Sequence, residues 1–168
     1  MRILGIDPGI AIMGYGVIET DGQRSVPLDF GCIITTAGTP MPDRLLAVYR
    51  EVSEIIKRYQ PDVMAVEKLF FAKNANSAMQ VGEARGVVVL AGCHADMPVY
   101  EYTPLQVKQA VVGYGRAEKQ QVQQMVKILL GLAKIPKPDD AADALAIAIC
   151  HAHTGKLQAA LTRGGTHV

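Results

Sequence analysis

The chain has 168 residues, 49% of them apolar and 20% charged, with a formal net charge of +1. A length in the usual range of about 100–200 residues suits one domain that buries roughly 70% of its unfolded surface, so folding requires neither disulfides nor a structural metal. No apolar run approaches the ~20 residues of a membrane span, and the N-terminus enters a strand pattern with no signal-peptide layout, so a cytoplasmic protein without membrane attachment is expected.

Arg2 to Asp7 is apolar almost throughout, as in a strand buried on both faces, and Asp7-Pro8-Gly9 turns the chain. Met13 to Thr20 alternates as a second strand. Asp21-Gly22 is a tight-turn signal, with the loop extending toward Ser25, and Val26 to Thr36 closes an antiparallel meander. The Gly/Pro-punctuated stretch 37–42 precedes a helix with Leu45, Leu46, Tyr49, Val52, Ile56 and Tyr59 at helical spacing, and Pro61 stops it. Val63 to Glu67 is a short apolar strand, Asn74 to His94 a long helix rich in small residues, and Pro98 to Tyr102 a fifth strand. Thr103-Pro104-Leu105-Gln106 has the capping-box layout with proline in the first helical position. Gly113-Tyr114-Gly115 breaks that helix, and Glu118 to Leu130 resumes. After Pro136 and Pro138 a last helix runs from about Asp139 to His153, leaving a Gly- and Thr-rich tail, 154–168, expected to fray.

With no repeat and no dividing linker, residues 1–153 are expected to form a single domain. Three antiparallel strands followed by alternating helices and strands imply an α/β fold: one five-stranded mixed sheet, three strands antiparallel and then two parallel, with helices on both faces. That is the arrangement of the ribonuclease H-like fold. It brings the first and fourth strands side by side, with the last helix expected across their ends.

Cys32, Cys93 and Cys150 are odd in number and widely separated, which fits neither a disulfide framework nor a zinc site, so all three are expected to be small core residues. His151 and His153 lie two apart and point to different faces of a helix, which disfavours a histidine metal site.

Four acids stand out. Asp7 arrives at the C-terminal end of a buried strand, where open α/β sheets place their ligands, although an Asp there also suits the Pro8-Gly9 turn. Glu67 repeats the position on the fourth strand and makes no turn, leaving an ion pair with a neighbour such as Lys68 as its other reading. Asp140 and Asp143 lie three apart on one helix face; Asp139 or Asp140 can serve as a cap, but Asp143 sits in a helix whose stretch 141–150 holds no other polar side chain. A charge there needs a partner or a metal. Carboxylates gathered this closely raise one another's pKa unless cations neutralise them. Oxygen-only ligation suits Mg²⁺ or Mn²⁺, and two such ions ~3.5–4 Å apart serve phosphodiester hydrolysis.

The charge is uneven. From Pro104 to Pro138 six bases (Lys108, Arg116, Lys119, Lys127, Lys134, Lys137) face one acid, Glu118, a local charge of +5 that leaves −4 for the rest. A solvated helical face and a nucleic-acid surface both fit that contrast.

Gly5-Ile6-Asp7-Pro8-Gly9, Ala65-Val66-Glu67, Gln106-Val107-Lys108-Gln109 and Asp140-Ala141-Ala142-Asp143-Ala144-Leu145-Ala146 together resemble the RuvC family of bacterial Holliday-junction resolvases, from residue 1 to about 153. The resemblance implies a homodimeric, Mg²⁺-dependent endonuclease that nicks two opposed strands of a four-way DNA junction, leaving 5′-phosphate and 3′-hydroxyl ends. It places Asp7, Glu67, Asp140 and Asp143 on the family's metal-binding, catalytic acids, with two Mg²⁺ per subunit and Mn²⁺ as a substitute. Phe70 matches an aromatic that stacks on unpaired bases, with Phe71 beside it as a second candidate. Lys108 and Lys119 match basic residues near the scissile phosphate, Arg116 lies in the same basic stretch, and the long helix 74–94 resembles a dimer interface. RuvA and RuvB are the partners implied. Another nuclease of the same fold, a junction binder without catalysis, and an actin-like ATPase built on Asp7-x-Gly9 are the competing readings; the last needs two domains around its nucleotide, more than this length supplies.

Overall fold

A computed structural model describes residues 1–68 and 75–163. Arg2–Asp7 (β1), Ile12–Thr20 (β2) and Ser25–Ile34 (β3) form the meander, followed by α1 (Met41–Tyr59), β4 (Val63–Glu67), α2 (Ala75–His94), β5 (Val99–Tyr102), α3 (Pro104–Val112), α4 (Lys119–Leu129) and α5 (Asp139–Arg163). The strands lie in the order β3-β2-β1-β4-β5, with β1 antiparallel to β2 and parallel to β4, and β4 parallel to β5. The mixed sheet expected from the element order is thus the one observed.

Because strand side chains alternate between faces, each strand divides its apolar residues between two cores. Ile3, Ile18, Val63, Ala65 and Tyr102 pack with α3, α4 and α5 on one face. Leu4, Ile6, Met13, Val17, Met64 and Val66 pack with α1 and α2 on the other. The buried stripe of α1 is Val48, Val52 and Ile55, while Leu46 turns out to be 45% exposed rather than part of it. Gln60 closes α1 in the left-handed region at φ 46°. Thr103 caps α3 as its sequence predicts: its Oγ1 accepts from Gln106 N at 3.2 Å, and Gln106 Oε1 accepts from Thr103 N at 2.8 Å.

Three expectations need correction. Cys150 is buried and Cys32 partly so, but Cys93 is exposed, because it falls on the side of α2 turned away from the sheet. The last helix continues beyond His153 to Arg163. It also lies along the face of β1 and β2 instead of across the strand ends, with Ala141, Ala142 and Ala144 to Cys150 at most 1% exposed.

On that helix His151 is 3% exposed, its Nδ1 2.7 Å from Tyr102 Oη and its ring 4.7 Å from that of Tyr100. Burial lowers its pKa from 6.5 to about 4. The unfolded chain therefore takes up a proton near 6.5 and the folded chain only near 4. The stability of the neutral, buried form is complete above 6.5 and is lost as pH falls toward 4, about 2 kcal/mol between pH 7.5 and 5. Urea unfolding at the two pH values is expected to show His151→Phe losing less stability than the parent chain; equal losses would remove His151 as the source.

Candidate active site

Side-chain alternation directs the site. Ile3, Gly5 and Asp7 share the α5 face of β1, and Val63, Ala65 and Glu67 share that face of β4. The parallel register pairs Ile3 with Val63 through Ile6 with Val66, so the next residues, Asp7 and Glu67, end neighbouring strands on the same face. The antiparallel partner of Asp7 on β2 is Gly14. Over these three strands lies α5, and its first turns bring Asp140 and Asp143.

Glycines allow the helix this close. A Cβ on Gly14 would overlap the Asp140 carbonyl group, and one on Gly5 would overlap the Ala144 carbonyl oxygen. On Gly16 it would meet the Leu145 side chain, with Cγ at 2.8 Å. Sequence reading missed these positioning residues. The available signal was glycine at 14 and 16, alternate positions of one strand, beside Gly5 on the next.

The electrostatics are those of crowded acids. Asp7 is pushed from 3.8 up to about 8, first by burial and then by Glu67, Asp143 and Asp140, with Lys119 opposing. Glu67 is raised by burial and by Asp143, again against Lys119. Asp143 is raised by burial in spite of its hydrogen bond from Lys119, whose Nζ lies 2.9 Å from Asp143 Oδ2. Partial burial works against the Lys119 charge, but Asp143 and Asp139 outweigh it and raise its pKa. Neither Asp7 nor Glu67 has a hydrogen bond or ion pair to any described residue.

All four acids named from the sequence are thus brought into electrostatic contact. Among the described residues no group of three His, Cys, Asp or Glu side chains is drawn together tightly enough to hold an ion as it stands. The donor set still fits a hard cation: it is all carboxylate, three members (Asp7, Glu67 and Asp140) have no hydrogen bond or ion pair among the described residues, and added positive charge relieves the strain on Asp7.

Of the basic residues, Lys119 reaches the acids from the first turn of α4. Lys108 lies on α3 and Arg116 in the turn between α3 and α4, and neither makes an ion pair among the described residues. Phe70 and Phe71 lie outside the described residues. Asp139, expected from the sequence only as a candidate helix cap, joins the site to its surroundings, with Oδ1 2.8 Å from Lys137 Nζ and Oδ2 3.5 Å from Lys119 Nζ.

A ribonuclease H-like sheet with four acids gathered at its strand ends and the head of its last helix defines the general class. The family described as crossover junction endodeoxyribonuclease RuvC matches residues 3–151. A protein of that description from Desulfitobacterium hafniense is 65% identical over 157 residues, covering 94% of this chain and 95% of its own. Another, from Alkaliphilus oremlandii, is 59% identical over 155 residues, covering 92% and 94%. The Thermus thermophilus RuvC structure superposes with a TM-score of 0.88 at 39% identity, covering 94% of this chain and 97% of that one. T. thermophilus RuvC in complex with a Holliday junction substrate gives 0.86 at 37%, covering 94% and 96%. The chain belongs to the RuvC family.

Proposed function

We propose that this chain is a metal-dependent endonuclease that resolves four-way DNA junctions in recombination and repair, hydrolysing two opposed phosphodiesters to leave 5′-phosphate and 3′-hydroxyl ends. The convergence of Asp7, Glu67, Asp140 and Asp143, with Asp7 pushed up to about 8, carries this reading. Family membership supplies the junction, since one solved relative is complexed with such a substrate.

In this reading the four acids are catalytic and hold two Mg²⁺ ions per subunit, for which Mn²⁺ can substitute. Bound there, the divalent cations supply activation of water and stabilisation of the leaving oxygen. The chain's own part is positional. β1 and β4 present Asp7 and Glu67 from a rigid sheet, and α5 holds Asp140 and Asp143 at a distance set by glycine contacts. Lys119, paired with Asp143, holds an ammonium beside the acids, where it would meet the scissile phosphate. Lys108 and Arg116 add phosphate contacts, which contribute affinity without sequence information. Phe70, with Phe71 as the other candidate, supplies a stacking surface for unpaired bases at the crossover.

The active form is a homodimer, because a two-fold junction presents two equivalent strands to two equivalent sites. The outer side of α2 is suited to a second copy: Met79 is 63% exposed, Leu90 58% exposed, and Gly86 has open space where a side chain would stand. Leu90→Glu is expected to yield monomers in sedimentation and to replace paired cleavage by isolated nicks. A variant that stays dimeric would move the interface elsewhere. RuvA and RuvB are the proposed partners and the cytoplasm the proposed location; no helix among the described residues is long and apolar enough to cross a membrane.

The deciding experiment compares cleavage of a synthetic four-way junction, a linear duplex and an RNA–DNA hybrid, each with Mg²⁺, Ca²⁺ or chelator. Junction cleavage with Mg²⁺ alone is expected. Preference for the hybrid would sink the resolvase reading, and activity in chelator would sink the metal.

A further inference from the structure

The basic residue that reaches the acids stands where its own helix disfavours it. Lys119 is the first residue of α4, and an ammonium there opposes the positive end of the helix dipole. Its side chain is long and half exposed, so its tip is fixed by what lies across from it. Two carboxylates do so: Asp143 Oδ2 at 2.9 Å and Asp139 Oδ2 at 3.5 Å. Of the two, Asp143 alone belongs to the acids proposed to hold the divalent cations.

Asp139 is a different kind of partner. It opens α5, where the helix dipole favours its charge. Its Oδ1 accepts from Lys137 Nζ at 2.8 Å, and the Gln123 amide reaches the same carboxyl from α4. Gln123 is buried and stands four residues after Lys119, so both side chains leave one face of α4 toward Asp139. The Lys137 hydrogen bond, with Gln123 and Lys119 adding to it, outweighs desolvation and holds the Asp139 carboxyl below the usual carboxylate range. It is therefore charged at neutral pH, with one oxygen anchored to Lys137 and the other turned to Lys119.

We infer that Asp139 is a positioning residue for cleavage: fixed between Lys137 and Gln123, it holds the Lys119 ammonium beside the acid cluster independently of Asp143, so that this charge is in place for the scissile phosphate. The inference rests on the phosphate role proposed for Lys119 and deepens it. Charge alone predicts the opposite sign. Removing an acid from a surface that meets DNA strengthens binding. Removing Asp139 should instead slow the chemical step, because an ammonium displaced by about an ångström loses much of its effect on the transition state.

The first test needs neither metal nor substrate. In chelator, the Lys119 side-chain ammonium of the full chain is followed by ¹⁵N NMR and identified by its disappearance in Lys119→Met. Its order parameter should stay high in Asp143→Asn, where Asp139 alone holds it, and fall to that of a free surface lysine when Asp139→Asn is added. A mobile ammonium in Asp143→Asn alone overturns the inference.

The second test follows single-turnover cleavage of a synthetic four-way junction with Mg²⁺, beside junction affinity in chelator. Asn caps a helix as well as Asp does, so Asp139→Asn leaves the start of α5 intact. It is expected to bind the junction at least as tightly as the unsubstituted protein but to cleave it about tenfold more slowly. Asp139→Glu, which keeps the charge, should recover the rate to within about threefold. In a Lys119→Met background, Asp139→Asn should change the rate by less than about twofold. A tenfold loss that persists in that background places the effect on α5 and Asp140 rather than on Lys119, and overturns the inference, as does unchanged cleavage in Asp139→Asn. Preference of the unsubstituted protein for duplex or hybrid over the junction overturns the proposed substrate instead, and the ammonium measurement still decides what holds Lys119.

Discussion

Asp7→Asn is expected to slow junction cleavage by about a thousandfold or more while junction affinity in chelator changes by less than about threefold. Asn matches Asp in size and removes its charge, so β1 and its pairing with Gly14 remain intact. What is lost is one of the three acids with no hydrogen bond or ion pair among the described residues, at the point where Glu67, Asp143 and Asp140 all act. Metal-assisted charge stabilisation amounts to several kcal/mol of a phosphodiester barrier, and each 1.36 kcal/mol is a factor of ten. Affinity should persist because phosphate contacts from the basic segment supply it. The substitution also relieves repulsion among the acids, so a slightly higher melting temperature in chelator is expected. Cleavage near the parent rate would remove Asp7 from the mechanism, and loss of binding in parallel with cleavage would make it a structural residue.

The second large effect comes from a residue without a side chain. Gly14→Ala should reduce cleavage about a hundredfold while costing roughly 1–3 kcal/mol in stability, because α5 must lift off β2 where Asp140 begins. The contact is with backbone, which has no rotamer to yield. Gly16→Ala is the natural comparison. Its new methyl meets mainly the Leu145 side chain, with Cδ2 at 2.7 Å and Cγ at 2.8 Å, and a leucine can shift. That variant should lose comparable stability but only a few-fold in rate. Equal losses of rate in both would mean that helix packing in general, and not the placement of Asp140, sets activity.

Much of this site was legible from the chain. Three of the four acids carry a local signature: Asp7 and Glu67 each close an apolar strand, and Asp143 interrupts an apolar helix. Such positions draw notice because a charge in apolar surroundings is costly without a function or a partner. The sheet was legible for a related reason. Strand and helix periods in the order observed leave few arrangements for a short chain with right-handed crossovers. Leu46 shows the limit. It fits the helical spacing of α1 as well as its neighbours do, but the direction in which the helix meets the sheet puts Val48 and Ile55 inside instead. Cys93 was misplaced for the same cause, since a residue's affinity for the core does not say which side of a helix the core lies on.

The element order, the capped start of α3, the candidate acids and the basic stretch from Pro104 to Pro138 are readable along the chain, because each depends on residues close together in it. How near the acids approach, and what stands among them, depends on the packing of distant elements. Asp7 and Glu67 become neighbours through the β1–β4 register, Asp140 and Asp143 arrive through glycine contacts with α5, and Lys119 reaches Asp143 from a separate helix. Distances of that kind are set by the packing of whole elements, to which every residue in the interface contributes.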